Sequence, residues 1–224
     1  MPVRIDTAPY EAIIGRYHLG GLIGVPPAAS GIIIFAHASG SGRFSPRNNQ
    51  VAAAMRRSGM ATLLIDLLTG QEETSRANMF DVHLLASRLA SATQWVREQP
   101  EIAELPIGYF GASTGVGAAL IAAAKDQHIA AIVSRSGRPD LALNTLALVR
   151  APTLLLVGSL DGPAIDVNHQ AFARLRCPKK IQVIAGAGHL FEEPGTLDQL
   201  VANAIGWFST CFARHGQQKE AGRR

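Results

Sequence analysis

Cysteine is scarce in this 224-residue sequence: Cys177 and Cys211 are the only two. They form no C-x-x-C pair and lie at no metal-ligand spacing, which excludes a disulfide scaffold or a zinc ribbon. The expectation is two reduced, mostly buried thiols in a cytoplasmic protein. Long apolar runs are also missing. The longest, residues 31–36 and 153–157, are strand-sized, against the roughly 20 residues that a membrane span needs. Residues 1–15 carry Asp6 and Glu11 and have no apolar h-region, so they do not read as a secretory signal. Nor is there a basic stripe. The net charge is +4, but Lys and Arg occur in scattered pairs such as Arg56-Arg57 and Lys179-Lys180 and near the end as Lys219, Arg223 and Arg224. That distribution excludes a nucleic-acid partner and favours a small, anionic molecule. With no His/Asp/Glu cluster at ligand spacing, no metal and no organic cofactor is expected. Nothing in the sequence sets an oligomeric state.

What is present is glycine (22 residues) and apolar side chains (47%), enough for one sizeable core. Short Val/Ile/Leu/Thr-rich runs alternate with longer segments of helical period. That rhythm predicts an α/β fold of βα units, with a mostly parallel sheet covered on both faces. The spacing predicts strands at 32–36, 61–65, 107–110, 130–133, 153–157 and 181–184, after an N-terminal strand or hairpin within 15–25. Helices are expected at 46–58, 78–98, 116–125, 164–174 and 195–212. Ser45-Pro46 marks one helix start, as cap and first helical residue. The polar segment 70–77 reads as a mobile loop. A single domain over 1–215 is expected, followed by a flexible tail over 216–224. The connection between the strand near Val133 and the one at Thr153 is too short for a helical cap, so any site at that edge should be open.

The sharpest local signal is Gly111-Ala112-Ser113-Thr114-Gly115, between an apolar strand and an Ala-rich helix. A G-x-S-x-G in that context predicts a nucleophile elbow, a sharp turn that lifts the serine hydroxyl above the sheet. A hydroxyl needs a base. Of the seven histidines, His189 is placed best, on a loop after the strand that ends at Ile184 and before the last helix. His83 (mid-helix) and His18 (mid-strand) read as structural, and His128, His169 and His215 as solvated. His37 ends a strand at the same edge and is the one rival. It precedes the small-residue turn from Ala38 to Gly42, where oxyanion donors are expected. The acid that fixes the imidazole tautomer is expected at Asp161, after the strand at 153–157. Asp166 follows Gly162-Pro163 and reads as an acid in the first turn of a helix. The order Ser113, Asp161, His189 is the one that a G-x-S-x-G fold uses.

Over nearly its whole length the chain resembles the α/β-hydrolase superfamily, and within it the dienelactone-hydrolase-like group. The matching stretches are FAHASGSGRFSPRN (35–48), IGYFGASTG (107–115), LLLVGSLD (154–161) and GAGHLFEEPG (186–195). The resemblance implies a single-domain α/β-hydrolase fold without a cap. It also implies Ser113, Asp161 and His189 as nucleophile, acid and base, with the backbone N–H groups of Ser39 and Thr114 as oxyanion donors. Two departures stand out. Dienelactone hydrolases proper carry a cysteine nucleophile where this chain has Ser113, so their lactone substrate is not implied. Many hydrolases read His-Gly where this chain reads His37-Ala38.

The expected activity is hydrolysis of a small ester, thioester or lactone through an acyl-enzyme. The alternative is a catalytically silent module of the same fold with a binding or regulatory role, and the complete triad weighs against it. A carboxylate nucleophile is excluded by Ser113, and a P-loop by the missing lysine after Gly115. Arg43, Arg47, Arg135 and Arg138 gather near the same edge. Each reads either as a surface or loop-bracing arginine, pairing with Asp140, Glu192 or Glu193, or as a clamp on a substrate anion. His37, Arg43 and Arg138 are the candidate substrate-binding residues.

Overall fold

The computed structural model describes residues 2–37 and 42–222. Eight strands form one sheet in the order β1-β2-β4-β3-β5-β6-β7-β8. They are β1 (Asp6–Ile14), β2 (Leu19–Val25), β3 (Ile32–Ala36), β4 (Ala61–Ile65), β5 (Ile107–Ala112), β6 (Ile129–Arg135), β7 (Thr153–Gly158) and β8 (Lys179–Ile184). β3 through β8 run parallel, while β1–β2 and β2–β4 pair antiparallel. The central parallel strands are buried along their whole length, as strands covered on both faces must be.

Two cores follow from the alternation of side chains. Ile32, Ile34, Tyr109 and Ile132 face helices α4 (Val82–Arg97) and α5 (Thr114–Lys125). Ile33, Phe35, Phe110 and Val133 face helices α1 (Pro46–Arg57) and α7 (Thr196–Gly222). Helix α6 (Gly162–Arg174) joins the first of these layers through Ala171. Between β6 and β7 lie only two short 3₁₀ turns, Pro139–Ala142 and Leu146–Leu148, and no cap is inserted there. Among the described residues no helix is long and apolar enough to cross a membrane. Cys177 and Cys211 are both free and buried.

Several expectations need correction. The N-terminal hairpin begins at Asp6, because β1 is a solvated edge strand whose exposed residues carry little apolar signal. Pro9 is tolerated there, inside the register irregularity between Asp6 and Tyr10. His18 lies in the turn between β1 and β2, at φ 53°, and not within a strand. The long helix expected at 78–98 is two, α3 (Arg76–Phe80) and α4, because the Asp81 carboxylate accepts from the His83 and Leu84 N–H groups at 3.0 Å and caps α4. His83 therefore sits in the first turn of α4. The segment 70–77 is not a loose loop. Thr69 and Glu72 form a capping box that starts α2 (Gly70–Glu73), and Glu72 also pairs with Arg88. Helix α7 runs on through the residues expected as a tail, to Gly222. Asp166 is the fifth residue of α6, beyond its first turn.

Candidate active site

Ser113 sits between β5 and α5 at φ 51°, ψ −127°, a backbone region that side-chain-bearing residues rarely adopt. The residues two before and two after it must be glycine. A Cβ on Gly115 would lie 2.0 Å from the Ala36 carbonyl oxygen of β3, and one on Gly111 would lie 2.9 Å from Val116 Cα. The turn is held from both sides: the Ser113 carbonyl accepts from the N–H groups of Val116 (3.2 Å) and Arg138 (3.0 Å). Thr114 is the first residue of α5, so its N–H has no partner within the helix and is available to an oxyanion. Ser39, the other expected donor, lies outside the described residues.

Asp161 occupies the N-cap position of α6, where a carboxylate ordinarily accepts from the helix's own N–H groups. It makes no such bond. Its Oδ2 lies 2.9 Å from Nδ1 of His189 instead. The Asp161 side chain is 11% exposed and that of His189 49%. The two loops are stitched together below this pair. Leu160 N–H donates to the Ala187 carbonyl at 2.9 Å, Ser159 N–H to that of Ile184 at 3.0 Å, and Gly186 N–H to Ser159 Oγ at 2.9 Å. Gly158 permits this approach, since a Cβ there would meet the Ala187 oxygen at 2.2 Å. Gly188 N–H donates to Glu193 at 3.0 Å and holds that carboxyl below its ordinary range.

A proton on Nδ1, shared with a carboxylate, leaves Nε2 as the free lone pair, the tautomer that a general base requires. Among the described residues no hydrogen bond joins Ser113 Oγ to that nitrogen. Such contacts commonly close only around substrate.

The other candidates are placed as follows. His37 is buried, 4% exposed, at the residue after β3. Arg43 is bound to Asp66 and to Glu11 (2.9 Å), and its guanidinium stacks on Phe44. Arg138 lies in a fork on Asp140, with Nε to Oδ1 at 2.8 Å and Nη2 to Oδ2 at 2.7 Å. Arg47 pairs with Glu192. All three are thus engaged by carboxylates of the protein itself. Arg135, at the end of β6, is buried and has no such partner among the described residues. Its signal in the sequence is an arginine closing a strand that is apolar up to Ser134. Among the described residues no group of three or more His, Cys, Asp or Glu side chains could hold a metal ion.

Comparison with known proteins agrees with this architecture. Residues 19–207 match the family described as the dienelactone hydrolase family. The crystal structure of a dienelactone hydrolase from Anabaena variabilis superposes with a TM-score of 0.86 at 47% identity, covering 91% of this chain and 99% of that one. Est1E from Butyrivibrio proteoclasticus shares the fold at a TM-score of 0.77 but only 13% identity, over 92% of this chain and 99% of its own. A Mycobacterium tuberculosis protein provisionally named a phosphoribosyl transferase is 51% identical over 199 residues, 88% of this chain. This chain spans only 45% of that relative's length. By the extent of the match and the identity to the Anabaena enzyme, the chain belongs to the dienelactone hydrolase family.

Proposed function

We propose that this chain is a serine hydrolase that cleaves a small carboxylic ester, thioester or lactone. The observation that carries the reading is the Asp161–His189 pair, a carboxylate turned away from its own helix and 2.9 Å from the imidazole. Ser113 Oγ attacks the carbonyl carbon while His189 Nε2 takes its proton. The oxyanion is held by the Thr114 N–H and, in this reading, by the Ser39 N–H. Collapse of the adduct breaks the bond to the leaving alcohol or thiol, which receives the proton from His189. Water then repeats the sequence on the acyl-enzyme and frees the acid and Ser113. Asp161 stabilises the imidazolium at each transfer without taking its proton. The absence of an inserted cap between β6 and β7 supports compact substrates. The name of the mycobacterial relative belongs to a protein of which this chain spans only 45%, and a serine activated by imidazole is machinery for acyl transfer.

The test is pre-steady-state hydrolysis of p-nitrophenyl acetate. A burst of nitrophenol matching the enzyme concentration, absent from Ser113→Ala, is the expected result. Turnover that survives Ser113→Ala rejects the reading.

A further inference from the structure

Among the described residues three arginines are buried: Arg56, Arg88 and Arg135. Arg56 donates to Thr62 Oγ1 at 2.8 Å, and Arg88 pairs with Glu72. Arg135 differs from both. It is 8% exposed, has no ion pair or side-chain hydrogen bond among the described residues, and its Nη1 is shut off from solvent. Residues 38–41, Ala-Ser-Gly-Ser, bring no carboxylate to neutralise it. A guanidinium buried without a counter-charge is costly, and the cost is relieved when an anion arrives to pair with it. Burial, with Arg47 adding repulsion, brings Arg135 down to about 10, so it is still charged at neutral pH.

Its location gives the charge a use. Arg135 is the last residue of β6 and pairs across the sheet with Ala112, the residue before Ser113. Strand alternation sets it on the face of Val133, toward α1 and α7. Arg47, in the first turn of α1, is the neighbouring positive charge, and it reaches Glu192, three residues beyond His189. Beside Arg47, Asn48 is 1% exposed, and neither its Nδ2 nor its Oδ1 has a partner among the described residues. Among the described residues, a buried guanidinium nitrogen and a buried amide, both without partners, thus lie on the flank where the Ser113 strand meets the helix tied to the His189 loop.

We propose that Arg135 is a specificity-determining residue: its guanidinium takes an anionic oxygen group, carboxylate or phosphate, carried by the substrate at a distance from the scissile bond. This rests on the serine-hydrolase reading and names the substrate class within it. Arg43, Arg47 and Arg138 are held by Asp66, Glu192 and Asp140, whereas Arg135 alone of the four has no carboxylate partner among the described residues. The bound anion orients the carbonyl toward Ser113 and takes no part in bond making.

The experiment compares the p-nitrophenyl ester of glutaric acid, whose far end is a free carboxylate, with p-nitrophenyl valerate, which ends in methyl. The wild type is expected to show the lower KM for the glutarate ester. Arg135→Met should raise that KM about tenfold or more, the loss of one charge-assisted pair. KM for the valerate ester and kcat on both should stay within about twofold of wild type. Arg135→Lys keeps the charge without the fork and should recover part of the loss. Equal KM changes on both esters, or no wild-type preference for the anionic one, overturn the proposal. A second arm measures thermal protection by glutarate and by inorganic phosphate in Ser113→Ala, with and without Arg135→Met. Protection by either anion that disappears with Arg135→Met supports the site and tells carboxylate from phosphate, and protection by neither rejects it. Because this arm needs no turnover, it stays readable even if activity survives in Ser113→Ala, the result that would sink the hydrolase reading alone.

Discussion

Replacing Asp161 by asparagine keeps the shape of the side chain and removes only its charge and one acceptor oxygen. In the native structure the carboxylate is nine-tenths buried, caps no helix and, among the described residues, has His189 Nδ1 as its one side-chain partner at 2.9 Å. The variant amide can turn its NH₂ toward Nδ1, which moves the imidazole proton to Nε2 and removes the base. Losing a charge-assisted hydrogen bond to the imidazolium costs about 1.5–3 kcal/mol, or roughly 10- to 150-fold in rate. The wrong tautomer lowers the rate further, toward the roughly 10⁴ that the same change costs in a serine protease. The half-exposed ring of His189 moderates that limit, since water can compete for Nδ1. We therefore expect kcat to fall by at least about a hundredfold, with KM and melting temperature little changed. Asp166 is the control. It is exposed on α6, beyond the first turn, so Asp166→Asn should stay within a few-fold of wild type. Steady-state ester hydrolysis and a thermal melt of both variants decide it. If Asp166→Asn is the crippled variant and Asp161→Asn is active, the assignment of the acid is wrong.

Other expected outcomes follow from the same geometry. Gly115→Ala puts a Cβ 2.0 Å from the Ala36 oxygen and should destabilise the fold by about 1–3 kcal/mol or more in urea denaturation; a neutral result would mean the elbow is looser than described. Ser113→Gly should be more stable than Ser113→Ala by about 1 kcal/mol, because only glycine adopts φ 51°, ψ −127° freely. Equal melting temperatures would show that the turn holds no strain. Glu72 is held below its ordinary range, with the Thr69 N–H, Arg88 and the Thr69 hydroxyl favouring its charged form against the cost of burial. Its contribution is present above the ordinary carboxylate value and is lost as pH falls through the depressed one. The stability gap between wild type and Glu72→Gln should accordingly be widest near neutrality and close in acid; a gap independent of pH would contradict this.

The parallel core was legible because buried strands and helices write their periods into the chain. β3 and β4 fall where the apolar runs 32–36 and 61–65 place them. The misses have local causes. β1 is an edge strand with one face and most of the other in solvent, so its residues carry no alternation strong enough to read. Asp81 breaks the helix at 78–98 by a side-chain cap that hydrophobic period does not register. Thr69 and Glu72, three apart, are a readable capping box, but the polar run around them reads as loop. At the site, Ser113, Asp161 and His189 could be singled out because each follows a strand at the carboxyl edge. Which arginines are engaged by carboxylates could not be read, since it depends on partners as distant in sequence as Glu11 and Asp66 for Arg43, or Glu192 for Arg47.

The central claim is that one serine is the nucleophile, and covalent labelling tests it most directly. The intact protein should gain a single fluorophosphonate adduct, which peptide mass spectrometry places on Ser113. His189→Ala should slow the labelling sharply, and Ser113→Ala should abolish it. An adduct on another residue, or labelling that persists in Ser113→Ala, would contradict the account.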